Sequence, residues 1–147
     1  MIKTSIFDYS DEKRSAISRS IRQKVFVEEQ GVAPELEYDG NDVYATHYLL
    51  YYYGVPIGTA RSRKTVNGIK LERFAILKEW RAKGLGKHLL EEVMGSLAHQ
   101  DATIYLHAQQ KAVNYYKRYG FQIGGDAFTE AGILHYKMIW KPNAKHE

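Results

Sequence analysis

Apolar positions recur along the chain with two periods, and the switch between them marks out the elements. Ile2 to Phe7 alternates loosely and predicts an edge strand. From Asp11 to about Glu29 the period lengthens. Ile17, Ile21, Val25 and Phe26 recur three and four apart and share one face of a predicted helix. Ser10 or Asp11 can cap its start, and Gln30-Gly31-Val32-Ala33-Pro34 ends it. Glu35 to Asp42 reads as a loop with room for one short helical turn.

Tyr44 to Tyr53 and Val55 to Val66 are rich in aromatic and β-favouring residues and predict two strands, with a hairpin turn at Tyr53-Gly54-Val55-Pro56. Asn67-Gly68 is the stronger hairpin signal, because both residues tolerate the positive φ of a type I′ turn. Ile69 to Leu77 is then a third consecutive antiparallel strand. Gly84 to about His99 is the clearest helix, with Leu85, Leu89, Leu90, Val93, Met94 and Leu97 in one broad apolar stripe. Thr103 to Ala108 predicts a strand. Lys111 to Tyr119 predicts a helix closed by Gly120. Phe121 to Phe128 and Ile133 to Trp140 predict two closing strands. This order suits a mixed sheet with helices on both faces, and the segment from Ile69 to Ala108 predicts a parallel strand–helix–strand crossover.

Bulk properties narrow the class. A length of 147 residues fits one domain over 1–147, with 44% hydrophobic and 26% charged residues. The absence of cysteine excludes a disulfide scaffold, a thiolate metal site and a cysteine nucleophile. With no export signal and no spanning run, the expected location is cytoplasmic, without a membrane partner. The formal charge of +4 is unevenly spread. No Lys or Arg occurs between Lys24 and Arg61, a stretch that carries Glu28, Glu29, Glu35, Glu37, Asp39 and Asp42. Nucleic acid is a poor match, because no basic-aromatic repeat appears.

The turn before the long helix carries candidate chemistry. Arg81-Ala82-Lys83-Gly84-Leu85-Gly86 lies between a predicted strand and a predicted helix. The first N–H groups of a helix lack internal partners and sit at the positive end of its dipole. A glycine there lets phosphate oxygens approach, and Arg81, Lys83 and Lys87 add charge. A Walker A loop would need Gly at Arg81 and Ser or Thr at His88. A Rossmann fingerprint would need Gly or Ala at Leu89. Both fail. On its own the turn fits either phosphate binding or simple chain reversal.

The same segment resembles the R/Q-x-x-G-x-G/A signature of the GNAT superfamily of N-acetyltransferases. Downstream, Ala112-Val113-Asn114-Tyr115-Tyr116-Lys117-Arg118-Tyr119-Gly120-Phe121 resembles that family's A-x-x-F-Y-x-x-x-G-F helix, at the matching spacing. Arg22 to Gln30, Leu71-Glu72-Arg73, and Ala131-Gly132-Ile133-Leu134-His135 with Met138 are similar to its small ElaA/YjcF-type branch. The resemblance implies an α/β (α+β) fold with a mixed, mostly antiparallel sheet of six to seven strands. It implies acetyl-CoA (coenzyme A) as cosubstrate, with no metal.

Residue by residue, it implies that the pyrophosphate rests on Arg81, Ala82, Lys83, Gly84, Leu85 and Gly86, beside Lys87. The pantetheine arm follows Phe74, Ala75, Ile76 and Leu77, with a backbone N–H near Ile76 facing the thioester carbonyl. Gln109 stands where many members carry Asn, and Asn114 is a further polar contact. Tyr116 is the expected proton donor to the leaving thiolate. Glu72 and His135 are candidate bases, with His107 a third. Independently of the resemblance, Glu28, Glu29 and neighbouring acids in the basic-free stretch either attract a cationic amine or form a solvated loop. The expected reaction is acetyl transfer to a primary amine of a small molecule or peptide by direct attack. An acetyl-CoA-binding regulatory module with little catalysis is the alternative, and a homodimer is left open.

Overall fold

The computed structural model describes residues 1–141. By internal packing the chain divides into two compact units, Met1–Arg63 with Arg73–Gln100, and Lys64–Glu72 with the chain from Asp101 onward. Among the described residues, eight strands form one mostly antiparallel sheet in a mixed α/β fold. No helix of the described residues is long and apolar enough to cross a membrane.

In the first unit, β1 (Ile2–Asp8) pairs antiparallel with β2 (Ala45–Tyr52), and β2 with β3 (Val55–Thr65). The turn between β2 and β3 has Tyr53 at φ 49° and Gly54 at φ 81°, two left-handed residues in the manner of a type I′ hairpin. α1 (Glu12–Arg22) starts at Asp11, whose side chain accepts a hydrogen bond from the Arg14 N–H. The expected single helix to Glu29 changes pitch partway. Gln23–Glu29 is a π-helix, a form often found at functional sites. Ile21 and Val25 are buried with Phe7, Leu49 and Ala75, and Ile17 and Phe26 pack against them. The predicted apolar face is therefore the core face, despite the change in pitch.

The acidic segment is more ordered than a loop. Pro34 opens α2 (Pro34–Glu37), and a 3-10 turn follows at Asn41–Tyr44. Its carboxylates enter a closed ring of six alternating charges. Arg22 pairs with Glu37 at 2.6 Å and Asp42 at 2.8 Å. Arg61 pairs with Asp42 at 2.8 Å and Asp39 at 2.9 Å. Arg73 pairs with Glu37 at 3.1 Å and Asp39 at 3.3 Å, closing the ring. The side chains of Arg22, Arg61 and Glu37 are 2%, 1% and 3% exposed, so the ring is internal framework, not a solvated acidic surface.

β4 (Gly68–Ile76) belongs in part to each unit. Its entry differs from the expected type I′ turn. Positive φ falls on Gly68 alone, at 129°, and not on Asn67. A side chain at Gly68 would meet the Thr103 carbonyl oxygen at 2.2 Å, so glycine is demanded by close approach. After a 3-10 turn at Lys78–Trp80, α3 (Leu85–Leu97) buries Leu85, Leu89, Leu90, Val93, Met94 and Leu97, the predicted stripe. Full burial stabilises each by about 2 kcal/mol.

In the second unit, β4 pairs parallel with β5 (Ile104–Gln109), as expected for the crossover, and β5 pairs with β8 (Ile133–Trp140). The ladder with β5 runs from Ile69 to Leu71. The predicted helix over Lys111 to Tyr119 is shorter, a 3-10 turn at Gln110–Ala112 followed by α4 (Val113–Lys117). The predicted strand from Phe121 to Phe128 is split into β6 (Phe121–Ile123) and β7 (Phe128–Glu130), both antiparallel to β8. Gly124 and Gly125 separate them, and Gly125 takes φ 142°.

The ring of charges sets the acid limit of the fold. Burial raises the Asp39 and Asp42 carboxyls, but their Arg61 and Arg22 partners, with the Asn41 N–H for Asp39, outweigh it and hold both below the ordinary 3.8. Their stabilising effect is complete above that value and is lost as pH falls below it. Stability from urea unfolding should drop steeply below about pH 4. Glu37→Ala, which leaves Arg22 and Arg73 each short of a partner, should cost about 3–5 kcal/mol at pH 7.

Candidate active site

The strand that leads toward the turn before α3 is irregular at one residue. Arg73 has φ 59° within the strand, a left-handed conformation that costs a non-glycine residue about 1–2 kcal/mol. Its Nη2 donates to the carbonyls of Leu36 at 3.2 Å and Glu37 at 3.3 Å, in addition to its ion pairs. These contacts hold the kink. Beyond it, Phe74 is half-buried and Ala75 lies in the core beneath α1. The Leu77 N–H donates to the Ile57 carbonyl at 2.9 Å, so Leu77 is fixed against β3.

Arg81 reaches back to the strand it follows. Its Nε donates to the Ile76 carbonyl at 2.8 Å. Its terminal nitrogens both pair with Glu29, Nη2 to Oε1 at 2.7 Å and Nη1 to Oε2 more closely. Ala82 and Gly84 are left-handed, at φ 63° and 77°. Gly84 is the N-cap of α3, and no side chain caps the helix start. The first-turn N–H groups of Leu85, Gly86 and Lys87 thus lack a side-chain acceptor, at the positive end of a 13-residue helix. Lys83 and Lys87 are exposed beside them. This arrangement is suited to an anion.

Of the two carboxylates expected to meet an amine, the structure brings Glu29 to Arg81, while Glu28 is exposed on the π-helix. The expectation that neighbouring acids share the task is corrected for Glu37, Asp39 and Asp42, whose charge is spent on Arg22, Arg61 and Arg73.

In the second unit, Tyr116 sits on α4 in an aromatic cluster. Its ring lies 5.3 Å from that of Tyr115 and 5.7 Å from that of Phe121. Burial, with a smaller effect of Tyr115, pushes its phenol well above the ordinary 10. It is therefore a neutral hydroxyl near neutrality, able to donate a proton or hydrogen bond and unsuited to act as a base. Asn114 is exposed two residues earlier on α4, and Gln109 ends β5 opposite His135.

The base candidates fall in two places. Glu72 is buried on β4, with Lys70 Nζ at 3.4 Å from its carboxylate. His135 is buried on β8. Its Nδ1 is 2.7 Å from the Ile133 carbonyl, and its ring stacks on Phe128. Glu130 on β7 links two histidines, 3.0 Å from His107 Nδ1 and 4.0 Å from His135 Nε2. The His107 hydrogen bond lowers its carboxyl against the opposing effect of burial, so it is ionised near neutrality. Sequence reasoning missed Glu130. It becomes a neighbour of His107 and His135 only through β7–β8 pairing, and the turn that permits this, Ala131-Gly132 at φ 51° and 75°, carries no Asn-Gly signal. Among the described residues, no group of three His, Asp or Glu converges as a metal site.

Comparison with known proteins gives this geometry a context. The family model for the acetyltransferase (GNAT) domain matches residues 8–142. The uncharacterized N-acetyltransferase YjcF of Bacillus subtilis (strain 168) is 34% identical over 121 residues, 81% of this chain and 86% of that protein. An acyl-CoA N-acyltransferase from Pseudomonas aeruginosa superposes with a TM-score of 0.86 at 26% identity, covering 96% of this chain and 100% of that one. Escherichia coli ElaA shares the fold with a TM-score of 0.86 at 24% identity, covering 96% of this chain and 100% of that one.

Two substitutions test the turn. Nothing lies within 4 Å of a Cβ at Gly84, so Gly84→Ala adds conformational strain alone. It should lower stability by about 1–2 kcal/mol, read as a fall in Tm. Ala82→Gly releases strain of the same kind and should leave Tm level or higher.

Proposed function

The chain belongs to the GNAT acetyltransferase family, and from that premise we propose that it transfers the acetyl group of acetyl-CoA to a primary amine by direct attack. The observation that carries the donor assignment is the uncapped start of α3 behind the left-handed Gly84. Backbone N–H groups there can receive the pyrophosphate of coenzyme A, with Lys83 and Lys87 adding charge. The segment Phe74 to Leu77 receives the pantetheine arm, with the N–H near Ile76 directed to the thioester carbonyl. Gln109 and Asn114 supply further polar contacts to the donor.

The reaction needs a neutral amine. Glu72 or His135 takes the proton from the acceptor ammonium, directly or through water. The nitrogen lone pair then attacks the thioester carbon, the C–N bond forms, and the C–S bond breaks. The thiolate leaves with the electron pair of that bond and takes a proton from the Tyr116 hydroxyl, and the acylated nitrogen gives up its extra proton, which restores the Tyr116 hydroxyl directly or through water. No enzyme nucleophile takes part, in keeping with a chain that has no cysteine. Glu28, exposed on the π-helix, attracts the cationic acceptor, a small molecule or a peptide amine.

A thiol-release assay with acetyl-CoA across an amine panel tests both parts. Release should depend on the amine. Tyr116→Phe should lower kcat on the order of a hundredfold and leave the KM for acetyl-CoA little changed. Equal rates in wild type and variant would remove Tyr116 as the acid. No release with any amine would contradict the reaction itself.

A further inference from the structure

We propose that Glu29 is a positioning residue for the acyl donor, holding Arg81 so that the phosphate turn is fixed against the end of β4. The proposal rests on the reading of that turn as the pyrophosphate site. It gives Glu29 a part that differs from attracting the acceptor.

The contacts carry the argument. A guanidinium has five N–H donors in one plane. Three bonds of Arg81 point inward, one from Nε to the Ile76 carbonyl and two to the Glu29 carboxylate. The fork-to-carboxylate arrangement is directional, so it fixes the plane of the guanidinium as well as its position. Arg81 is thus a clasp. It ties the first residue of the turn to the strand five residues earlier and to a helix 52 residues earlier in the chain.

Glu29 is itself anchored. It is the last residue of the π-helix, and the next residue, Gln30, donates its N–H to the Val25 carbonyl at 3.1 Å. Val25 is buried in the core, so the carboxylate is presented from a fixed base.

Partial exposure limits what else the pair can do. The side chains are 37% and 34% exposed, so the ion pair adds little to global stability. Its effect is on the geometry of a turn that already holds two left-handed residues, Ala82 and Gly84. Small displacements there move the N–H groups away from phosphate oxygens.

Charge gives the test its sign. Glu29 is an anion beside a site for a polyanion. By Coulomb's law alone, removing it should tighten coenzyme A binding. The clasp requires the opposite. Calorimetric titration with coenzyme A and with pantetheine, which has no phosphates, should be run on wild type, Glu29→Ala, Glu29→Gln and Glu29→Asp. Glu29→Ala should raise the Kd for coenzyme A roughly tenfold, the size of one lost positioned contact, and leave pantetheine binding and Tm unchanged. Glu29→Gln should move in the same direction, and it serves if the alanine variant fails to fold. Glu29→Asp should restore part of the loss.

An unchanged or lower Kd for coenzyme A in both Glu29→Ala and Glu29→Gln would overturn the proposal. So would a rise in the KM of the amine with no change in coenzyme A affinity. If wild type itself does not bind coenzyme A, the reading of the turn fails and takes the proposal with it. If wild type binds and only the Glu29 result is contrary, the reading of the turn stands and the clasp alone is refuted.

Discussion

Arg73 occupies a conformation it would not choose. It is left-handed in the middle of a strand, and such strain persists only where the surroundings over-determine it. Here the surroundings are a closed ring in which Arg22, Arg61 and Arg73 alternate with Glu37, Asp39 and Asp42. Each guanidinium bridges two carboxylates and each carboxylate bridges two guanidinia. No formal charge is left over. Burying these groups carries a large desolvation cost, which paired geometry of this quality can offset. The result is specificity of arrangement. α1, the acidic segment, β3 and the bend of β4 are tied to one another through directional bonds.

From this constraint the arrangement of the turn before α3 follows. The bend at Arg73 sets the direction in which Phe74 to Leu77 run. The ring fixes Arg22 at the end of α1, and the π-helix continues from that residue. Glu29 is the last residue of that π-helix, and its carboxylate meets Arg81 at the first residue of the turn before α3. A chain of packed and bonded elements therefore runs from a buried ion network to the uncapped amides of α3. In the second unit a different chemistry is arranged. Burial keeps Tyr116 protonated, while a hydrogen bond from His107 keeps Glu130 ionised.

Much of this was legible in the sequence, for physical reasons. The apolar stripe of α3 has a clear helical period, and all six predicted residues are buried. The two spaced motifs named the family, which the match over residues 8–142 bears out. Other features depend on tertiary context. The acidic stretch looked like a solvated or substrate-facing surface, because the arginines that neutralise it lie on α1, β3 and β4. The π-helix shares its apolar face with an ordinary helix, so Ile21 and Val25 gave no sign of the change in pitch. Asn67-Gly68 carried the strongest turn signal, yet type I′ dihedrals appear at Tyr53-Gly54 and Ala131-Gly132. Close approach of the Thr103 carbonyl to Gly68 decided that site instead.

The proposed reaction depends on the turn before α3 receiving the phosphates of the donor. The most direct measurement compares the binding of acetyl-CoA with that of an acetylated pantetheine lacking the phosphates, at two salt concentrations. Acetyl-CoA should bind at least about tenfold more tightly, and the advantage should shrink as salt screens the exposed lysines. Equal affinity for the two ligands, unmoved by salt, would contradict it.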